Sequence, residues 1–458
     1  MKLIEMKAIV QGEWLQKSAD QELTNFESDT RKDLNGCAFF AFKGDNFDGH
    51  DYLQLATDKG AKLLIVSSSA LEFPKDVAVL KVTDTIKAWQ DVAAYKVKST
   101  SAKRIGVTGS SGKTSTNAIL AALLEWFYPN QVLSTLGNTN NHIGVAQNIM
   151  RLMGNEKVVT LEMGTNHPGE IAVLSKIVIP EVAILTTVGA SHIGNFDDVN
   201  AILNEKVDLF RHMKKGGIAI VPIDLIEQVH ATGALEDLKV LTFGELAEAD
   251  FRVSEIKIGS AQSSFRLTGP NQESFTLSTN LSGVHQMRNI SATVAALFAL
   301  DLPLENCLSE VLPQLNLPGM RMRREGFEGI DFVLDCYNAN PQSTLAFLDW
   351  SKSLFSDYSK GRVWVILGDM LELGKMSEKY HQEVHNHYES LFGTSENHQL
   401  VLVGAEYAKL KSKKATYLSS EEASHILEAK IKKGDTVLLK GSRGIRLETI
   451  YQNLISEK

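Results

Sequence analysis

At 458 residues the chain is too long for one ordinary core, and about three domains are expected. Its 43 % hydrophobic and 22 % charged residues are those of a globular protein, and a formal charge of −8 argues against a nucleic-acid binder, which is usually basic. No apolar run approaches the roughly 20 residues of a membrane span, and the opening Met-Lys-Leu-Ile-Glu-Met lacks the apolar core of an export signal, so a cytoplasmic protein is expected.

Residues 1–83 read as a small α/β unit with strands at 38–42, 62–66 and 77–82. Residues 84–317 read as a larger α/β unit, with parallel strands at 105–108, 158–162, 182–186 and 218–221. Polar and apolar residues then alternate over 250–280, which predicts an antiparallel flap on the parallel sheet. From 318 to 458 strand and helix alternate again, with strands at 333–335, 363–367, 400–403 and 437–440. That pattern predicts a Rossmann-like third domain, with Leu-Pro-Gly-Met at 317–320 as the hinge. Cys37, Cys307 and Cys336 lie far apart, which fits a reducing compartment and excludes a cysteine-cage metal site.

The segment Arg104-Ile-Gly-Val-Thr-Gly-Ser-Ser-Gly-Lys-Thr-Ser-Thr116 carries the strongest chemical signal. It reads as strand, glycine-rich turn and helix start. Gly109, Ser110, Ser111 and Gly112 can turn backbone N–H groups toward a phosphate, Lys113 adds a cation for the β- and γ-phosphates, and Thr114 offers a hydroxyl to Mg²⁺. Val107 stands where a strict P-loop has its first glycine, so the flanking strand and helix carry the assignment. The helix, expected over 114–127, aims its positive end at the same anion, and Ser115 lies in its first turn. The site is one for a nucleoside triphosphate, most simply ATP.

Other polar residues fall at strand exits, which in a parallel sheet share one crevice. Glu162 ends one strand and His192 follows another; together with the loop they are candidate Mg²⁺ ligands, although singly Glu162 could cap a helix and His192 could pack in a loop. Lys206, on a helix expected over 199–210, reads as a solvated surface charge. The amide-rich segment from Thr135 to Gly144, with Asn138, Asn140 and Asn141, suits either a polar substrate or a turn-rich loop. The same two readings hold for Ser28 to Arg31 and for Gly44-Asp-Asn-Phe47-Asp48-Gly49-His50. In the third domain Asp335 is placed to hold ribose hydroxyls, and Asn340 before Pro341 reads as a helix cap. Gly368-Asp-Met-Leu-Glu-Leu-Gly374 and Lys440-Gly-Ser-Arg443 also sit at strand exits.

In this order, from Ser28 to Arg443, these segments resemble the Mur ligases. Tyr-Asn-Ala-Asn-Pro at 337–341, Gly-Asp-Met-Leu-Glu-Leu-Gly at 368–374 and Phe-Asp-Gly-His at 47–50 resemble the members that add a dipeptide, while the phosphate loop and Gly-Met-Arg at 319–321 are shared more widely. The resemblance implies a UDP-muramoyl domain, a central ATPase and a mobile third domain. It implies phosphate and Mg²⁺ roles for Lys113 and Thr114, metal roles for Glu162 and His192, and a carbamylated Lys206 that helps position Mg²⁺. It assigns Asn289 to adenine, Arg321 and Asp335 to the nucleotide, Ser28, Arg31 and 44–50 to the nucleotide sugar, and Asn138, Asn140, Asn141, Asn338 and Asn340 to substrate. The implied reaction is ATP-dependent ligation of D-Ala-D-Ala to UDP-MurNAc-tripeptide through an acyl phosphate, by a monomer without nucleic-acid partners. A ligase adding one amino acid and a catalytically silent binding protein are the rivals. Leu334, Cys336, Gln286, Thr187 and Asn117 depart from the family pattern, where aspartate, serine, asparagine, asparagine and lysine are usual.

Overall fold

The computed structural model describes residues 1–456 except 20, 71, 260, 356–360 and 411. Three α/β units follow one another, each built on its own sheet. In the first, the strands lie in the order Glu13–Gln16, Ala78–Lys81, Leu63–Val66, Cys37–Phe40, Asn25–Glu27, all parallel except the outer Glu13–Gln16. In the second, Val132–Ser134, Val158–Glu162, Lys103–Thr108, Val182–Leu185, Ile218–Pro222 and Lys239–Gly244 are parallel neighbours. Phe251–Lys257 continues that sheet, and Ser263–Thr268 and Ser274–Thr279 extend it as the expected antiparallel flap. The third sheet runs Arg323–Phe327, Ile330–Asp335, Thr436–Lys440, Val363–Gly368, His398–Val403, Ala415–Tyr417, parallel except for the first strand.

The central strands are short and apolar because both faces are covered. Ile105, Val158, Val182 and Ile184 pack beneath the helices Lys113–Phe127 and Val284–Ala299, whereas Val159, Leu161, Ala183 and Leu185 face the opposite core. That opposite core continues without a break into the first unit. Trp89, on the helix Thr85–Ser99, is buried in it and donates its indole N–H to Ile143 O at 3.2 Å.

The third unit packs against the crevice end of the central sheet. Ala190, Ile193 and Ile202 share a core with Phe347, Trp350 and Leu373, and the Trp350 indole N–H donates to Ser282 Oγ at 2.8 Å. At one point the two units meet backbone to backbone. Gly194 N donates to Glu372 O at 3.1 Å, and a Cβ on Gly374 would lie 2.8 Å from Gly194 Cα. The link at 317–320 spans from the turn Leu312–Gln314 to the strand Arg323–Phe327.

Candidate functional site

The phosphate loop leaves Lys103–Thr108 and enters Lys113–Phe127, as its residue order requires. Gly109 has φ +154°, and a side chain there would collide with the Thr186 hydroxyl, so only glycine allows the close approach of these two strand exits. The loop is then tied to the second exit. Ser110 N donates to Thr187 O at 2.8 Å, Ser111 N to Thr187 Oγ1 at 2.9 Å, and the Ser110 hydroxyl to Gly189 O at 3.0 Å. This corrects the expectation that the N–H groups of Ser110 and Ser111 face a phosphate: both are spent on Thr187. The departure at Thr187 thus falls on a residue that holds the loop through backbone and hydroxyl alike.

Lys113 curls back and donates to Gly109 O at 2.7 Å. Burial pulls its ammonium below the usual lysine range; the nearby Glu162 opposes this and Arg321 adds to it. Glu162 is 1 % exposed, accepts from Asn140 Nδ2 at 2.7 Å through one oxygen, and leaves Oε2 buried without a hydrogen-bond partner among the described residues. Arg321 donates to Thr114 Oγ1 at 3.2 Å and stacks over the Tyr337 ring at 3.8 Å. Asp335 pairs with Lys440 at 2.8 Å, and the same ammonium donates to Asn338 O at 2.7 Å. Asn289 Nδ2 donates to Gln286 Oε1 at 3.1 Å. His285, half-buried beside them, is pushed down to about 4 by desolvation and stays neutral at pH 7.

These groups line one cavity of about 500 Å³ between the central and third units. Its walls include Ser110 to Ser115, Asn138, Asn140, Asn141, Glu162, His192, Asn289, Arg321, Asp335, Asn338 and Asn340. Several candidates are occupied in ways that spacing could not reveal. His192 Nδ1 meets Glu372 Oε2 of the third unit at 2.6 Å, and that contact lowers the Glu372 carboxyl below its ordinary range. Asn141 Oδ1 accepts from Gly144 N at 2.8 Å, the role of a turn residue. Asn340 Oδ1 accepts from Ser343 N at 2.9 Å, as a helix cap does, and its Nδ2 turns to the phosphate loop instead of open space. Among the described residues no three His, Cys, Asp or Glu side chains gather to hold a metal.

Lys206 overturns its solvated reading. It is 2 % exposed on the helix Val199–Arg211, and no salt bridge joins it among the described residues. Desolvation first, and then Lys113, hold its amine well below the usual lysine range. The neighbouring Glu205 carboxylate is used elsewhere, by Gly169 N at 2.6 Å and Ile171 N at 2.8 Å.

The first unit's candidates stand apart from this cavity. Arg31 pairs with Asp29 at 2.7 Å on the surface, near Ser28. Lys43–Gly44 and Phe47–Asp48 form a two-stranded ribbon leading to Gly49, and the exposed Phe47 ring stacks on Tyr52 at 5.5 Å. Asp48 Oδ1 accepts from His50 N at 3.0 Å and contacts His50 Nδ1 at 2.6 Å, while His50 Nε2 accepts from Ser67 N at 3.0 Å.

The other departures sit where the fold leaves little choice. Leu334 and Cys336 are 2 % and 0 % exposed on the core side of the strand whose Asp335 faces the cavity. An aspartate at 334 would be buried among apolar groups. Asn117 is buried and accepts from Thr160 Oγ1 at 2.7 Å, in a place too enclosed for a free lysine. Glu372 and Lys440 also wall the cavity, from the two strand-exit segments 368–374 and 440–443; neither stands out in sequence because the partner each meets lies on another strand or another unit.

The geometry agrees with comparisons to known proteins. Residues 107–297 match the Mur ligase middle domain, and residues 320–443 the Mur ligase, glutamate ligase domain. A UDP-N-acetylmuramoyl-tripeptide--D-alanyl-D-alanine ligase of Buchnera aphidicola is 30 % identical over 439 residues, covering 94 % of this chain and 92 % of its own. A crystal structure of MurF from Acinetobacter baumannii superposes with a TM-score of 0.88 at 28 % identity, covering 99 % of this chain and 98 % of that one. The MurF ligase of Thermotoga maritima, in complex with ADP, does so at 0.82 and 27 % identity, covering 94 % and 97 %. With its three α/β units, phosphate loop and near full-length match to such relatives, the chain belongs to the Mur ligase family.

Proposed function

We propose that the protein joins D-alanyl-D-alanine to UDP-N-acetylmuramoyl-tripeptide at the expense of ATP, giving the pentapeptide precursor, ADP and phosphate. The observation that carries this reading is the shared cavity walled by the phosphate loop on one side and by Arg321, Asp335 and Asn338 on the other. The names of the full-length relatives supply the substrates. Residues 1–83 then hold the UDP-muramoyl group through Ser28, Arg31 and the 44–50 ribbon, 84–317 hold ATP, and 318–458 close over it. The reaction belongs in the cytoplasm, where ATP and nucleotide-activated sugars are available.

The peptide carboxylate attacks the γ-phosphorus and ADP leaves. Lys113 and the N–H groups of the first helical turn, which have no partner within the helix, stabilise the charge on the phosphoryl oxygens. The amine of the dipeptide then attacks the acyl carbon, phosphate leaves, and the nitrogen gives up a proton. Between these steps the acyl phosphate must be kept from water, and the third unit over the loop supplies that cover. Arg321 and Asp335 hold the nucleotide, Asn289 reads adenine, and Asn138, Asn140 and Asn338 line the path of the peptide.

Mg²⁺ fits this cavity. The partnerless Glu162 Oε2 and the Thr114 hydroxyl are hard oxygen donors on one wall, with His192 on the rim. When bound, the ion neutralises phosphate charge. Lys206 suits carbamylation, because its buried amine is driven toward the neutral form that adds CO₂, forming an N–C bond and releasing a proton. Lys206→Ala should be inactive and partly restored by a small carboxylate; restoration by an amine alone would overturn the carbamate.

Mass spectrometry of the product tests the whole reading. D-Ala-D-Ala should be incorporated and single amino acids should not, with phosphate release requiring both substrates. Incorporation of one amino acid would favour the rival ligase, and no release at all a silent binder.

A further inference from the structure

We infer that Asn340 is a positioning residue: from the third unit its side chain shapes the phosphate loop at Ser110 and Ser111, so that the loop takes its triphosphate-binding form only when the two units are docked. The inference rests on the ATP reading of that loop.

Asn340 is 5 % exposed, although it lies on the wall of a large cavity. Its Nδ2 donates to Ser111 Oγ at 2.9 Å and reaches Ser110 O at 3.3 Å. Its other amide atom is fixed from behind. Oδ1 accepts from Ser343 N at 2.9 Å, and Asn340 N donates to Ser343 Oγ at 3.1 Å. This reciprocal cap opens the helix Pro341–Phe355, with proline at its first position. The third unit therefore presents an amide fixed by its own helix start whose Nδ2 lies against the loop, with Oδ1 also within 3.3 Å of the Ser111 hydroxyl.

The loop is held from two directions of different character. Thr187 and Gly189 belong to the same unit as the loop, so their bonds to Ser110 and Ser111 survive any movement of the third unit. The bonds from Asn340 do not. When the third unit withdraws, Ser110 O and Ser111 Oγ lose their donor and turn to other partners. ATP would then meet a loop with one side unset, which discourages phosphoryl transfer before the cavity is shut to water.

The test separates loop shaping from helix capping. Asn340→Ser keeps the cap, since a serine oxygen serves Ser343 N, but is too short to reach Ser111. It should melt like the wild type, raise KM for ATP about tenfold, as the loss of two neutral hydrogen bonds implies, and leave KM for D-Ala-D-Ala unmoved. In a double-mutant cycle with Ser111→Ala, the paired variant should be no worse than Asn340→Ser alone. A wild-type KM for ATP in Asn340→Ser, or effects that multiply in the cycle, would overturn the positioning role. Lys113→Ala in the same assay keeps the two readings apart. If it is inactive while Asn340→Ser is normal, only the positioning role fails; if it turns over normally, the ATP reading fails.

Discussion

The phosphate loop and the 44–50 ribbon are both short, glycine-bearing and polar, yet the molecule treats them differently. The loop is enclosed, tied by Thr187 within its own unit and by Asn340 and Arg321 from another. The ribbon keeps its contacts within the first unit, Asp48 with His50 and Phe47 with Tyr52, and leaves Phe47 exposed. An enclosed loop has its geometry set before ligand arrives. An exposed ribbon binds through surface it already shows and loses less when one contact is removed.

Lys113→Ala is the strongest attempt to break this contrast. Removing a preorganised cation from a buried site should cost on the order of 10²–10³ in rate, measured as kcat with both substrates saturating. Turnover near wild type would show the loop to be no more demanding than the ribbon. Glu162→Gln should act next. It leaves the shape and the Asn140 contact but removes the charge of the partnerless oxygen, so the Mg²⁺ concentration for half-maximal rate should rise about tenfold; an unchanged Mg²⁺ dependence would remove Glu162 from the ion's shell.

On the ribbon, Phe47→Ala should raise KM for UDP-MurNAc-tripeptide several-fold, about the value of one aromatic stack. KM for ATP should not change, and a change there would mean the two regions are coupled. The smallest effect concerns pH. Hydrogen bonds from His50, backbone first, hold the Asp48 carboxyl down to about 2. A carboxylate lowered in the fold adds stability above its unfolded value of about 3.9 and loses it as pH falls toward the folded one. The melting temperature of wild type relative to Asp48→Asn should therefore be highest near neutral pH and converge between about pH 4 and pH 2. A gap that persists at pH 2 would trace the difference to shape instead of charge.

Much of the frame was legible because short apolar runs between turns mark buried parallel strands, and those at 158–162, 182–186 and 363–367 match closely. Edge strands such as Val132–Ser134 and Ala415–Tyr417 were missed, being too short to carry a period. The site was legible where one segment holds the chemistry, as from Gly109 to Thr114. It was not legible where function needs two segments. Lys206 looks like any helical lysine until its burial is known. His192 shows in the sequence only as a residue past a strand, and its contact with Glu372, from a strand exit in another unit, leaves no mark in that spacing. Asn340 was correctly read as a cap, but a cap uses only half of an amide, and the other half points to residues far away in the chain.

The meeting of Gly194 and Gly374 has a consequence for evolution and for turnover. Nucleotide must enter and leave, so the two units have to part and return many times. A joint made of side chains can reseat in several rotamers; a joint of bare backbone has none to choose from and returns to a single register. Even one added methyl at either position would wedge the units apart and hold Asn340 away from the loop. Sequence change around this cavity is therefore free to alter its walls, as at Thr187 and Gln286, but not the hinge-pin on which the walls come together.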